Sequence, residues 1–344
     1  MNRIAYMNGK LNIEYDNIPV PEPKPEEVVV KIEYVGICGS DVHFYQHGKI
    51  GDCVVDGKFV LGHECSGTVT KIGSDVKKLK LGDRVALEPG VTCSQCEFCK
   101  SGCYNLCQNV RFFATPPYDG TFCDYIAFPE SMCFKLPDNV STLEGALVEP
   151  LAVGFHSARQ GGVKPGDTVA ILGAGCIGLV TLLACKTFGA SEVIISDVID
   201  KRLDFAKELG ADQIINAKET NVIEKIMQLT ENRGVDVVIE AAGNEEAVHQ
   251  TAFIARRGGT VVLVGLAPKD EISYNFTKVL NKELTIKSVF RYCNLYPIAI
   301  NSIASGKINV KDIVTHEFSF NEIKKAMDYV IENSADVVKA VIKI

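Results

Sequence analysis

Residues 169–178 read VAILGAGCIG, an apolar run that meets glycines at 173, 175 and 178. Val169–Leu172 has the composition of a buried strand, and the almost uncharged stretch that follows reads as a helix to about Phe188. A G-x-G-x-x-G string is common on its own. Placed between a strand and a helix it acquires a mechanism. Gly173 permits the tight turn, Gly175 lets backbone approach a pyrophosphate, and Gly178 lets the helix pack on the strand. Cys176 and Ile177 then lie at the helix start, where unbonded N–H groups and the positive dipole end favour a phosphate. Asp197 falls 19 residues after Gly178, at the end of the next expected strand, Val193–Ser196. A carboxylate there takes ribose hydroxyls and repels a 2′-phosphate, so the motif favours NAD over NADP. Arg202 leaves three options open: it holds a phosphate, stacks on adenine, or faces solvent. Val264, Val289 and Arg291 complete the expected nucleotide contacts. The alternative, a strand–helix turn with no ligand, leaves Asp197 without a role.

Outward from this motif the chain keeps alternating. A helical run covers Asp200–Leu209, and strands are expected at Val237–Glu240 and Val261–Val264. Strands spaced by helices imply a parallel sheet with crossover helices. Before Glu149-Pro150 the texture differs. Glu27–Val35, Cys65–Ile72 and Arg84–Leu87 are short β-branched runs punctuated by Gly and Pro, as in a small barrel with long loops. After about Phe290 the pattern changes again, with helices expected at Tyr296–Ser305 and Asn321–Asn333 and a last strand at Val337–Ile342. The fold class is therefore α/β plus β.

The 344 residues suggest two domains. Hydrophobic and charged contents of 47% and 23% are those of a soluble globular protein, which points to the cytoplasm. A net charge of −7 with scattered lysines and arginines excludes an electrostatic footprint for nucleic acid or an anionic membrane. Met1–Lys10 has no apolar core of a secretory signal. Val169–Cys185 carries no charge, yet it is shorter than the roughly 20 residues of a membrane span and is interrupted by glycines.

Thirteen cysteines, an odd number, argue for metal or catalytic roles rather than disulfides. Cys93, Cys96, Cys99 and Cys107 form C-x2-C-x2-C-x7-C, and short C-x-x-C steps let thiolates converge on one tetrahedral ion. Cys103 is a fifth candidate by spacing. A closed four-thiolate site is structural, fixing a lobe that lacks its own core. A redox thiol switch or an iron–sulfur centre is the rival reading. A second set is open. Cys38 in Gly36–Asp41, His63 and Glu64 after Gly62, and Glu149 before Pro150 offer a thiolate, an imidazole and carboxylates, the donors of a catalytic zinc with one free position.

Together these pieces resemble the zinc-containing medium-chain alcohol dehydrogenases, within them the sorbitol (L-iditol) and xylitol dehydrogenase branch. The matching stretches are GICGSDVH (36–43), LGHECSG (61–67), the four-cysteine lobe, ATPPYDGTF (114–122), LVEPLAVGFH (147–156), GAGCIG (173–178) and FRYCN (290–294). The resemblance implies a GroES-like catalytic domain over 1–152, a Rossmann domain over 153–290, and completion of the catalytic domain by 291–344. It implies a catalytic zinc on Cys38, His63 and a glutamate, with Glu64 as ligand and Glu149 on the zinc-bound water, the two able to exchange. It also implies that Arg291 and Tyr292 orient water and substrate, and that Ser40 and His43 relay the proton. Phe44 departs from the pattern, where relatives tend to carry tyrosine, although Tyr45 is adjacent. The implied activity is reversible oxidation of a polyol secondary alcohol to the ketose, with two zinc ions and NAD, in a homotetramer or homodimer. L-threonine 3-dehydrogenase, 2,3-butanediol dehydrogenase and galactitol-1-phosphate dehydrogenase share similar motifs. A non-catalytic nucleotide-binding protein is the remote alternative, and intact Cys38, His63, Glu64 and Glu149 argue against it.

Overall fold

The computed structural model of the chain describes residues 1–344 except 268 and 270. They divide into two compact units, Met1–Glu149 with Tyr296–Ile344, and Pro150–Leu295. The sequence reading draws these divisions after 152 and after 290. Residues 291–295 thus belong to the second unit rather than to the C-terminal segment.

The second unit is built on six parallel strands. Their spatial order is Gln213–Asn216, Glu192–Asp197, Thr168–Leu172, Val235–Glu240, Ala255–Leu263, Thr285–Ser288. The chain starts in the middle, walks to one edge, returns and walks to the other. Ligands bind where such an order reverses, at the carboxyl ends of the strands. Val169, Ile171, Val193, Ile195, Val238 and Ile239 are fully buried. Helices cover both faces, which is why these strands read as apolar runs. Gln213–Asn216 and Thr285–Ser288 escape the sequence reading because they are short, polar edges, the latter exposed along its whole length. The strand expected at Val261–Val264 runs instead from Ala255 to Leu263, since Ala255 and Thr260 pair with strand Val235–Glu240 across a register shift that leaves no apolar signature.

The uncharged stretch Val169–Cys185 resolves into strand Thr168–Leu172 and helix Cys176–Phe188. No helix among the described residues is long and apolar enough to cross a membrane. Gly173 has φ +104°, and a Cβ at Gly178 would lie 1.9 Å from the Gly173 carbonyl. Both glycines are therefore demanded by geometry.

The first unit is a seven-stranded sheet around one core that includes Val30, Ile32, Leu61, Val85, Leu87, Phe122 and Met327. Strand Glu27–Gly36 pairs antiparallel with Glu64–Ile72 on one side. On the other side it pairs with Tyr125–Pro129 and then, at its far end, with the C-terminal strand Lys339–Lys343. The last strand of the chain therefore starts beside Gly36 and Ile37, just before Cys38, and ends opposite Tyr34. The helix expected at Asn321–Asn333 is observed as a 3-10 turn Phe320–Glu322 followed by Ile323–Glu332.

Candidate metal and nucleotide sites

Cys38 caps the N-terminus of helix Gly39–His47, immediately after the longest strand of the sheet. Glu64 opens the neighbouring strand Glu64–Ile72, and His63 immediately precedes it. Register places Gly36 opposite Glu64, so the two segments meet side by side. A Cβ at Gly36 would lie 2.0 Å from Glu64 Oε2, so only glycine leaves room for that carboxylate. One donor atom each from Cys38, His63 and Glu64 lies within 4.8 Å of the others. His63 and Glu64 are buried, at 6% and 1% exposure.

Asp41 ties these segments together. Its carboxylate accepts from Cys38 N (3.0 Å) and Gly62 N (2.9 Å), and its Oδ1 lies 3.6 Å from His63 Nδ1. That contact fixes the ring and leaves Nε2 for a metal, the usual carboxylate–histidine arrangement around a ligand. Burial disfavours charge on His63, yet Asp41 and Cys38 hold its pKa well above the ordinary value. Thiolate, imidazole and carboxylate suit zinc, and three protein donors leave the fourth tetrahedral position open.

Glu64 has another partner. Lys339 Nζ donates to both of its oxygens at 2.8 Å and to the Ile37 carbonyl at 3.0 Å. Both members of the pair are buried. Glu149 lies in the first turn of helix Val148–Gly161, is 6% exposed, and stands outside the converging three. Its charge is nonetheless felt nearby. Burial first, and Glu149 in addition, push Glu88 up to about 7. Ser40 and His43 are half-buried on helix Gly39–His47. Burial and His47, whose ring is 4.6 Å away, lower the His43 pKa. Phe44 packs on Phe59 in the core, and the adjacent Tyr45 hydroxyl donates to Asp328 at 2.8 Å.

The sulfurs of Cys93, Cys96, Cys99 and Cys107 also converge within 4.8 Å. Backbone N–H groups of Cys93, Cys96 and Cys99 point at sulfurs of the set at 3.4–3.5 Å. The N–H groups of Gln95 and Cys96 draw the Cys93 thiol down to about 6. All thirteen cysteines are free, and the exposed Cys103 lies outside the cluster. Four thiolates leave no open position.

In the second unit a cavity of about 670 Å³ is lined by Gly173, Gly175, Asp197, Arg202 and Ala242, among others. Asp197 accepts from Ala174 N (2.7 Å), Val198 N (2.7 Å) and Ile199 N (3.0 Å), so the carboxylate also closes the glycine turn. Arg202 stands 4.0 Å from it. Cys176 and Ile177 begin the helix capped by Gly175. Val264 and Val289 follow the carboxyl ends of two strands, with Val264 N on the Glu240 carbonyl and Val289 N on the Leu263 carbonyl, both 2.9 Å. Arg291 and Tyr292 follow in the same unit.

Asp41, Lys339 and Glu88 carry no role in the sequence reading. Asp41 had a signal, a carboxylate three residues after a candidate ligand cysteine. Lys339 had none, since 275 residues separate it from Glu64.

A model of the alcohol dehydrogenase GroES-like domain matches residues 24–138, and one of the zinc-binding dehydrogenases matches residues 176–305. The chain belongs to the zinc-containing medium-chain alcohol dehydrogenase family. It is 43% identical to a sorbitol dehydrogenase of Bacillus subtilis over 99% of this chain and 96% of that one. It is 46% identical to a probable D-xylulose reductase A of Aspergillus clavatus, over 93% and 91%. A solved oxidoreductase/dehydrogenase of unknown specificity from Escherichia coli superposes with a TM-score of 0.97 at 46% identity, over 100% of this chain and 99% of that one.

Proposed function

We propose that this protein is a zinc-dependent, NAD-linked polyol dehydrogenase that converts a secondary alcohol of the sorbitol or xylitol type to the ketose, reversibly. The observation that carries the reading is the convergence of half-buried Cys38 with buried His63 and Glu64. In this reading those three hold a catalytic zinc, with Glu149 at its open side and able to exchange with Glu64. Cys93, Cys96, Cys99 and Cys107 hold a structural zinc. When bound, the catalytic zinc supplies Lewis acidity that brings a hydroxyl pKa toward neutrality, and the nicotinamide supplies the hydride acceptor.

The chain's own residues do the rest. Ser40 and His43 carry the hydroxyl proton toward solvent, and the lowered pKa of His43 keeps its ring neutral and able to accept it. Arg291 and Tyr292 orient the substrate's remaining hydroxyls. Asp197 favours NAD because a 2′-phosphate would meet its carboxylate. The exposed edge strand Thr285–Ser288, with Phe276 and Leu280 at 70% and 77% exposure, supports pairing with a second copy in a homodimer or homotetramer. A cytoplasmic location accompanies the thiol-rich, disulfide-free chain.

The test is a panel of sorbitol, xylitol, L-threonine, 2,3-butanediol and galactitol 1-phosphate with NAD and NADP, followed by NADH absorbance. Highest kcat/KM on a polyol with NAD is expected. Preference for any other substrate of the panel would replace the polyol reading.

A further inference from the structure

The chain leaves edge strand Thr285–Ser288 and enters the turn 290–294, FRYCN. Arg291 and Asn294 both take left-handed backbone, with φ +56° and +57°. Asparagine enters that region readily, whereas arginine occupies it only when its surroundings impose it. Between them, Tyr292 and Cys293 are buried, at 3% and 6% exposure. The turn is held from helix Val148–Gly161. Arg159 Nη2 donates to the Cys293 carbonyl at 2.8 Å and lies 3.4 Å from its Sγ. The same nitrogen is 2.9 Å from His156 Nδ1.

A guanidinium has donors only, so Nδ1 must be the acceptor and the His156 ring is the neutral Nε2–H tautomer. His156 is buried, with the Gln160 side-chain amide 3.4 Å from its Nε2, and the Nε2–H tautomer requires that amide to be turned so that Oε1 accepts. Residues 156, 159 and 160 share one helix face. Burial, and then the charge of Arg159, push the His156 pKa down to about 4, which preserves the acceptor at neutral pH. The two protons of one nitrogen are thus divided between a ring that aims the guanidinium and a carbonyl that the guanidinium immobilises.

We propose that His156 and Arg159 are positioning residues that lock the turn bearing Arg291 and Tyr292 and thereby set selectivity for polyols over simple alcohols. The inference rests on the proposed role of Arg291 and Tyr292 toward the substrate's hydroxyls. A charge-assisted hydrogen bond to a buried carbonyl is strong enough to hold two left-handed residues in place. Losing it lets the peptide after Cys293 rotate, and the two side chains before it lose their orientation. Lysine at 159 keeps the charge but not the planar fork.

The experiment compares wild type, Arg159→Met, Arg159→Lys, His156→Phe, Arg291→Met and the Arg159→Met/Arg291→Met double variant, on xylitol and on 2-propanol. Zinc content and NADH binding are followed for each. Arg159→Met and His156→Phe should lose roughly tenfold or more in kcat/KM on xylitol, mostly in KM, with little change on 2-propanol, NADH binding or zinc. Arg159→Lys should recover part of the loss. The double variant should be no worse than Arg291→Met, because residues acting through one another do not add. Unchanged xylitol kinetics in Arg159→Met, or fully additive losses, would overturn the clamp while leaving the polyol function standing. Wild type inactive on xylitol and sorbitol would instead overturn the function. Hydrogen exchange at residues 292–295 then decides the clamp by itself. Exchange at least roughly tenfold faster in Arg159→Met supports it, and equal exchange refutes it.

Discussion

Two cysteine-bearing sites sit in one unit of this protein and are built in opposite ways. The lobe at 93–107 gathers four sulfurs from one short segment, and its shell is the segment's own backbone N–H groups. Apart from the buried Cys107 its ligands are only half-buried, and Leu106 is 44% exposed. The set Cys38, His63 and Glu64 draws on the segments where two paired strands end and begin, and has Asp41 and Lys339 braced against its members. In the proposed reading the closed set, without a core around it, holds the lobe together. An open set inside a pre-built core is rigid without metal and can afford a free position for chemistry.

The largest expected effect tests the open side. Cys38→Ser should lose roughly a thousandfold or more in kcat/KM with a nearly unchanged Tm, and zinc should fall from two to one per chain. Turnover near that of wild type would abolish the contrast. Cys96→Ser should do the reverse, with Tm lower by roughly 10 °C and turnover of the folded fraction kept. Full stability in that variant would show that the lobe needs no metal.

Lys339→Met sharpens the comparison, because it strips the open site of its buried counter-charge. In zinc-free protein, where Lys339 is the cation on Glu64, leaving that carboxylate buried and unpaired should cost about 3–5 kcal/mol in chemical denaturation, part of it restored by Glu64→Gln. No partial restoration would mean that Lys339 acts through packing alone. Asp41→Asn should weaken zinc affinity at the catalytic site about 10–100-fold and leave the cysteine lobe loaded, as read by chelator competition.

The smallest effect concerns a group that touches both regions. Tyr104, within the lobe, donates to Glu88 Oε1 at 2.7 Å, and Glu88 also feels Glu149. Burial, opposed by Tyr104 and aided by Glu149, raises Glu88 from its ordinary 4.5 to about 7. The folded state therefore holds this proton more tightly than the unfolded chain. Its contribution is complete below about 4.5 and disappears as pH rises through about 7. Glu88→Gln should flatten that part of the Tm-versus-pH curve, and an unchanged slope would locate the dependence elsewhere.

Much of this was legible because it is local. The glycines at 173, 175 and 178, Asp197 at the next strand end, and the spacing of Cys93, Cys96, Cys99 and Cys107 each report a constraint within one short stretch of chain. The buried central strands announced themselves by unbroken apolar runs, whereas the edge strands Gln213–Asn216 and Thr285–Ser288 left no such trace. Cys38, His63 and Glu64 were readable as donor types, but their convergence depends on the pairing of two strands. The salt bridge from Lys339 to Glu64 joins positions 275 residues apart, and the bond from Arg159 to the Cys293 carbonyl spans 134. By itself, then, the sequence determined the layers, the nucleotide motif and a list of candidate metal donors longer than the sets that converge, since periodicity and spacing are written along the chain. Only the tertiary structure decided which buried charge faces which ligand and which helix holds the turn 290–294. Those contacts arise from sheet register and helix packing, and they impose no spacing that a linear reading could detect.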